Sequence, residues 1–204
     1  MKRTFDIIVA ALGLILLLPL FVFVAVLIKI GSQGPIFFRQ ERMGKEFRPF
    51  MIYKFRTMVE NAARIGPAIS FGNDRRITGI GRWLRRTKID ELPQLINILK
   101  GEMSLVGPRP EVRKYVELFR QDYQEILKVR PGITDIASLK YQDEADLLAT
   151  SANPEEEYLR RVLPDKIKLA KDYVSHSSFF LDICLLLRTL PRLSGRKVRD
   201  THYA

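Results

Sequence analysis

The longest unbroken apolar stretch covers positions 7–28 and contains no ionisable side chain. A bilayer span needs about 20 such residues. The run is too long for the apolar region of a cleaved signal peptide, and no small-x-small site precedes Lys29. Two geometries stay open. A straight spanning helix fits the length. A bent, re-entrant segment fits two further features. Pro19 lies in the interior, where it removes a backbone hydrogen bond. Basic residues also flank both ends, Lys2 and Arg3 before and Lys29, Arg39, Arg42 and Lys45 after, and the positive-inside rule favours such flanks on the cytoplasmic side.

Beyond this run the pattern changes to shorter periods. Ile36-Phe37-Phe38 and Phe50-Met51-Ile52-Tyr53 predict two strands joined at Met43-Gly44-Lys45, although their aromatics also suit membrane-interface contacts. Leu92, Leu95, Ile96 and Leu99 form a stripe at helical spacing. That helix is predicted to start near Asp90, because Pro93 is tolerated only in a first turn. An amphipathic helix is expected over 111–129. A further helix is expected from Asn153-Pro154-Glu155 to Tyr173, interrupted near Pro164. Arg130-Pro131-Gly132-Ile133-Thr134 predicts a turn into a short strand, Ile136-Ala137-Ser138-Leu139. Positions 179–190 are apolar but carry Asp182 and Arg188. At about 12 residues this segment is too short to span, which leaves core burial or the membrane interface. Positions 60–78 read as a polar loop and 192–204 as a frayed basic tail, with no internal repeat.

Composition narrows the partners. A net charge of +11 on 204 residues points to a polyanion: nucleic acid, anionic lipid or a phosphorylated substrate. Cys184 is the only cysteine, so no intrachain disulfide forms. With His176 and His202 as the only histidines, a His/Cys zinc site is not expected.

Asp90-Glu91 is the first candidate for chemistry. Two acids at a helix start sit where anions, including phosphate, are favoured. Adjacent helical residues point in different directions, so the two acids should serve different partners. Arg75, Arg76, Arg82, Arg85, Arg86 and Lys88 crowd just upstream. They suit either an anionic substrate or a solvated face. Strand alternation sends Lys54 and Arg56 to one side, again for phosphate or for solvent. Arg109 is held between Pro108 and Pro110. That is a rigid turn, or a guanidinium fork presented at low ordering cost for bidentate phosphate binding. Gly79-Ile80-Gly81 is too short a glycine signal for a nucleotide fold.

Four motifs in this order resemble the bacterial sugar transferase family, the monotopic polyprenyl-phosphate phosphoglycosyl transferases in their small single-domain form. They are Tyr53-Lys54-Phe55-Arg56-Thr57-Met58; Asp90-Glu91-Leu92-Pro93-Gln94-Leu95 through Asn97; Gly101-Glu102-Met103-Ser104-Leu105-Val106-Gly107-Pro108-Arg109-Pro110; and Arg130-Pro131-Gly132-Ile133-Thr134. The resemblance implies an α+β chain. Its re-entrant membrane helix covers 1–30, and a compact, mostly helical cytosolic domain over 31–204 carries a small β element and interfacial amphipathic helices. The implied reaction moves a phosphosugar from a UDP-sugar to a polyprenyl phosphate and releases UMP. It passes through a covalent intermediate on Asp90, with Glu91 in proton handling or metal binding. The implied cofactor is Mg²⁺, held at Asp90. Substrate and phosphate contacts fall to Lys54, Arg56, Arg85, Gln94, Pro108 and Arg109. The implied setting is the inner leaflet of the bacterial cytoplasmic membrane, with the catalytic part facing the cytoplasm and no nucleic acid partner; homo-oligomerisation is left open. Two departures stand out. The family's usual Ser-Pro in the membrane helix is Leu18-Pro19 here, so the break rests on the proline. Its frequent glycine after Pro-Gly-Ile-Thr is Asp135, which should alter the local turn and bear on substrate preference. The competing reading is a non-catalytic basic membrane protein that binds anionic lipid.

Overall fold

The computed structural model describes residues 1–62, 74–142 and 144–193. Most of the polar loop expected at 60–78 and nearly all of the expected tail lie outside these residues.

Helix α1 (Lys2–Gly31) takes up the apolar run. Its two limbs, Lys2–Leu16 and Leu18–Gly31, meet at 60°. Pro19 accounts for the bend, because it has no N–H to bond one turn back and its ring crowds that carbonyl. Among the described residues no single helix is long and apolar enough to cross a membrane, and the two limbs qualify only together.

Both limbs lie on the same body. Ala10 of the first limb packs with Ile52, Leu95, Ile98 and Leu105, while Val24 and Ile28 of the second pack with Phe55 and Leu84. The first turn is tied down by charge. Lys2 Nζ donates to Asp182 (2.7 Å), the Tyr173 hydroxyl (2.9 Å) and the Val106 carbonyl (2.9 Å). Buried Asp6 accepts from Ser104 Oγ (2.8 Å) and Leu105 N–H (3.2 Å). At the other end Arg56 donates to Ser32 O at 2.8 Å and to Gln33 O. The outer face of α1 stays bare: Ile15, Leu16, Leu18, Val22 and Ile30 are each more than half exposed.

The hairpin forms as expected, with longer strands. β1 (Phe37–Met43) and β2 (Pro49–Phe55) pair antiparallel, with Phe37 opposite Phe55 and Met43 opposite Pro49. Helix α2 (Gly79–Arg86) follows, capped by the Thr78 hydroxyl. It lies so close to β2's continuation that a Cβ on Gly81 would sit 2.0 Å from the Thr57 carbonyl oxygen. Helix α3 is Gln94–Lys100. Its buried face is Gln94, Leu95, Asn97 and Ile98, and Leu99 is 40% exposed, so the expected stripe is corrected. Asn97 explains the inward polar positions. It bridges to β2 by accepting Tyr53 N–H (3.0 Å) and donating to Met51 O (2.8 Å) and to Glu102 (2.7 Å).

Strand β3 (Ser104–Val106) pairs parallel with β4 (Gly132–Thr134). Here too glycine allows contact, since a Cβ on Gly132 would lie 2.1 Å from Gly107 N. The expected helix over 111–129 is two short ones, α4 (Arg113–Leu118) and α5 (Arg120–Ile126), broken where Phe119 leaves helical geometry at φ −117°, ψ 37°. The expected strand at 136–139 is instead a helix, α6 (Ile136–Lys140), because the Asp135 side chain accepts the Ser138 N–H (2.8 Å) and caps it. Helix α7 (Glu144–Ala149) and α8 (Pro154–Glu157) lead through a π turn, Tyr158–Val162, into α9 (Leu163–His176). The π turn ends two residues before Pro164, whose ring disfavours regular helical bonding one turn back. Helix α10 (Phe179–Leu193) buries Asp182 and Leu185 and exposes Phe180, Leu187 and Leu190. The expected core burial is met on one face, and the other face is apolar and exposed.

Candidate active site

The Asp90-Glu91 pair sits one step earlier than a helix start. Lys88 adopts the left-handed region (φ 58°), which costs a non-glycine residue about 1 kcal/mol. This kink turns the chain out of α2 into a 3₁₀ turn, Ile89–Glu91, and Pro93 then caps α3. The expected start at Asp90 is corrected to Gln94. Both carboxylates are buried, at 7% and 8% exposure.

The two acids have different surroundings. Glu91 is fully partnered. Lys54 Nζ donates to it at 2.8 Å, and Arg109 reaches both of its oxygens, at 2.6 Å and 3.4 Å. Burial alone would raise the Glu91 carboxyl, but Arg109 and Lys54 outweigh it and hold the group well below the ordinary carboxylate range. Reciprocally, the Glu91 charge raises the Arg109 guanidinium above its usual value. Burial lowers the Lys54 ammonium despite Glu91's opposing pull. Asp90 is the contrast. Its Oδ1 is buried without a hydrogen-bond partner among the described residues. Burial and the Glu91 charge push its carboxyl up to about 6, against the pull of Lys54, Lys88 and Arg85. One turn on, the Gln94 side chain is almost fully buried and its Nε2 is likewise unpartnered. A buried acceptor and a buried donor four positions apart in sequence, each left bare, suit a ligand that brings their complements.

Among the described residues no group of three or more His, Cys, Asp or Glu side chains is placed to hold a metal. Mg²⁺ needs no such cage, because it takes one or two carboxylates and completes its shell with water and substrate phosphate. Asp90, with its bare oxygen, fits that mode.

The remaining expected residues divide. Arg85 reaches the acids' surroundings: its Nε donates to Thr57 Oγ1 at 2.8 Å, and burial lowers its pKa although the Asp90 charge opposes this. Arg56 does not. Its guanidinium serves the carbonyls that follow α1, away from Glu91, because β2 ends at Phe55 and the alternation stops with it. Pro108 acts through the backbone, its carbonyl accepting Gly132 N–H at 3.0 Å. Within the arginine-rich run, Arg76 pairs with Asp74 at 2.6 Å, and Arg75, Arg82 and Arg86 are exposed.

Three residues at the site were not singled out as part of it by the sequence. Asp135 accepts the Arg109 N–H (3.3 Å), and Arg42 Nη1 donates to Pro110 O (3.3 Å). With the Pro108 bond, three consecutive residues of the arginine loop are thus anchored. Glu111 lies 3.6 Å from Arg42 and accepts from the Tyr158 hydroxyl at 2.8 Å. The one available signal was Asp135, where an acid stands in place of a glycine.

Comparison with known proteins bears on this geometry. The sequence model described as "Bacterial sugar transferase" matches residues 1–196. A UDP-N-acetylgalactosamine-undecaprenyl-phosphate N-acetylgalactosaminephosphotransferase of Aeromonas hydrophila is 39% identical over 196 residues, covering 93% of this chain and 42% of that protein. The exopolysaccharide production protein ExoY of Sinorhizobium fredii is 36% identical over 205 residues, covering 93% and 84%. The UDP-glucose:undecaprenyl-phosphate glucose-1-phosphate transferase of Escherichia coli is 36% identical over 196 residues, covering 93% and 39%. The chain therefore spans less than half of two of these relatives and most of the third.

Proposed function

This chain belongs to the bacterial sugar transferase family, and on that premise we propose that it transfers a sugar phosphate from a UDP-sugar to a polyprenyl phosphate. The observation that carries the reading is Asp90, a buried carboxylate with one bare oxygen among three cationic side chains, beside a second acid whose charge is already satisfied.

In the first half-reaction an Asp90 oxygen attacks the phosphorus that bears the sugar. A carboxyl O–P bond forms, the diphosphate P–O bond breaks, and UMP leaves with that electron pair. In the second, a phosphate oxygen of the polyprenyl carrier attacks the same phosphorus, and Asp90 departs as carboxylate with polyprenyl-diphosphate-sugar as product. Covalent catalysis of this kind replaces one hard displacement by two easier ones. Arg85 and the Gln94 amide face the bound phosphate as donors. Glu91, doubly paired and held low, is a poor proton acceptor; its work is to keep Lys54 and Arg109 in place. Asp90 would be the residue that holds a Mg²⁺ ion, and the ion's chemistry there would be to neutralise anionic charge. The test is UMP release in detergent with UDP-sugars, polyprenyl phosphate and Mg²⁺. Release that needs both the sugar nucleotide and Mg²⁺ is expected. No release with any UDP-sugar would return the non-catalytic lipid-binding reading.

The chain is further proposed to lie in the cytoplasmic membrane, with α1 re-entrant and the site on the cytoplasmic side. Support comes from the 60° bend, the bare apolar outer face, and the anchoring of both α1 ends to one body. Single cysteines replacing Thr4 and Arg48, in a Cys184→Ser background, should label together from the cytoplasmic side. Labelling of position 4 only from outside would discard the re-entrant geometry.

A further inference from the structure

Arg3, which bonds the end of α3 far from the acid pair, lines a cavity of about 350 Å³. Five cationic side chains line it: Lys2, Arg3, Lys45, Lys128 and Arg130. Two carboxylates do too, Asp6 and Asp182, but each is already bonded. Asp6 serves β3, and Asp182 serves Lys2 and the Tyr173 hydroxyl (2.7 Å). The cations are less completely used. Lys128 has no side-chain hydrogen bond or ion pair among the described residues. Arg130 is held only through Nε, at 2.8 Å from Gly101 O, and Lys45 is 3.5 Å from an exposed Glu46. Positive charge in a concave, partly desolvated setting attracts an anion more strongly than the same charge on open surface.

Placement adds the ligand's setting. Both bare apolar segments of the chain begin at this cavity. Helix α1 passes from Lys2 and Arg3 into its apolar run, and α10 starts with Phe179 on the cavity wall and Phe180 at 78% exposure. Phe5 and Phe179 meet edge to face, with ring centroids 5.4 Å apart. Cations at the head of two apolar helices, with aromatics between them, mark the level of lipid headgroups. The cavity is separate from the acid pair: α3 is seven residues long, about 10 Å, and Arg3 Nη2 bonds its last turn at Ile98 O (2.7 Å).

We propose that this cavity binds the phosphate ester of a net-anionic ligand, carried on a membrane glycerophospholipid. The cations that take it are Lys45, Lys128 and Arg130, while Lys2 and Arg3 remain in their structural bonds.

The test is calorimetric titration of the full chain in non-ionic detergent with three probes: dihexanoyl phosphatidylglycerol, dihexanoyl phosphatidylcholine and glycerol 3-phosphate. Phosphatidylglycerol should bind more tightly than phosphatidylcholine. A Lys45→Gln/Lys128→Gln variant with wild-type Tm should bind it about thirtyfold more weakly, one lysine's worth of surface attraction for each change. Glycerol 3-phosphate binding as tightly as the lipid, and losing as much in the variant, would support the cavity as a phosphate-ester site and make its source soluble. Phosphatidylglycerol binding that is unchanged in the variant, or no tighter than phosphatidylcholine, overturns the proposal. None of these readings depends on transfer activity, so the outcome stands apart from that of the catalytic assay.

Discussion

An Asp90→Asn protein is expected to make no product and to trap no sugar phosphate, while melting no lower than wild type. Asparagine keeps the shape of the side chain but has no charge to attack phosphorus. Loss of a covalent nucleophile typically costs roughly 10⁴–10⁶-fold in turnover. Stability should move the other way. Asp90 is buried and its carboxyl is pushed up to about 6, so the fold disfavours its ionised form. That penalty is absent below the unfolded pKa and complete above about 6, and a neutral isostere removes it. The measurement is incubation with radiolabelled UDP-sugar and Mg²⁺, without polyprenyl phosphate, followed by denaturation and detection of label on protein. Label retained by Asp90→Asn would overturn the assignment. Wild type that never takes label, yet turns over when both substrates are present, would favour direct transfer in a ternary complex.

The second large effect belongs to Arg109. Arg109→Ala should lose about 10²–10³ in turnover, as loss of a charge-stabilising group usually does, and should also lower Tm. Removing one partner of a buried ion pair strands the other, at about 3–5 kcal/mol. Here Lys54 still pairs with Glu91 and the Arg109 side chain is 33% exposed, so about 3 kcal/mol is the ceiling. Arg109→Lys separates the two losses. One ammonium can restore the pairing with Glu91 and most of the Tm, but it cannot reach both carboxylate oxygens as the guanidinium does, so turnover should stay low. Wild-type turnover and Tm in Arg109→Ala would remove the residue from the site.

What could be read from the residues was mostly local. Pro19 announced a bend because proline acts on its own backbone. The hairpin, the helix start at Asn153-Pro154, where the Asn153 side chain accepts the Glu156 N–H, and the rigid setting of Arg109 are likewise encoded within a few positions. Most errors came where distant parts of the chain decide, although the helix at 136–140 is set by its neighbour Asp135. The inward face of α3 is set by Asn97 bonding the backbone of β2, which an apolar stripe does not register. Ile136-Ala137-Ser138-Leu139 carries strand-like residues, and one capping carboxylate at Asp135 makes it a helix. Arg56 shares a face with Lys54 only if the strand continues, and it does not. Arg42, Glu111 and Asp135 brace the arginine loop from segments whose approach depends on the finished fold. Lys2 and Asp6 are one helical turn apart on α1, yet nothing nearby hints at their bonds to Asp182 and Ser104.

That last tie has a consequence for how the chain is made. Lys2 and Asp182 are separated by 180 positions. At about 5–20 residues per second, the ribosome needs on the order of 10–40 s to supply the carboxylate after the lysine has emerged. Throughout that interval α1 has its apolar run and its proline, but not the ion pair that fastens its first turn. On the proposed membrane placement α1 would meet the bilayer before that anchor exists, and α10, translated long after α1, supplies it.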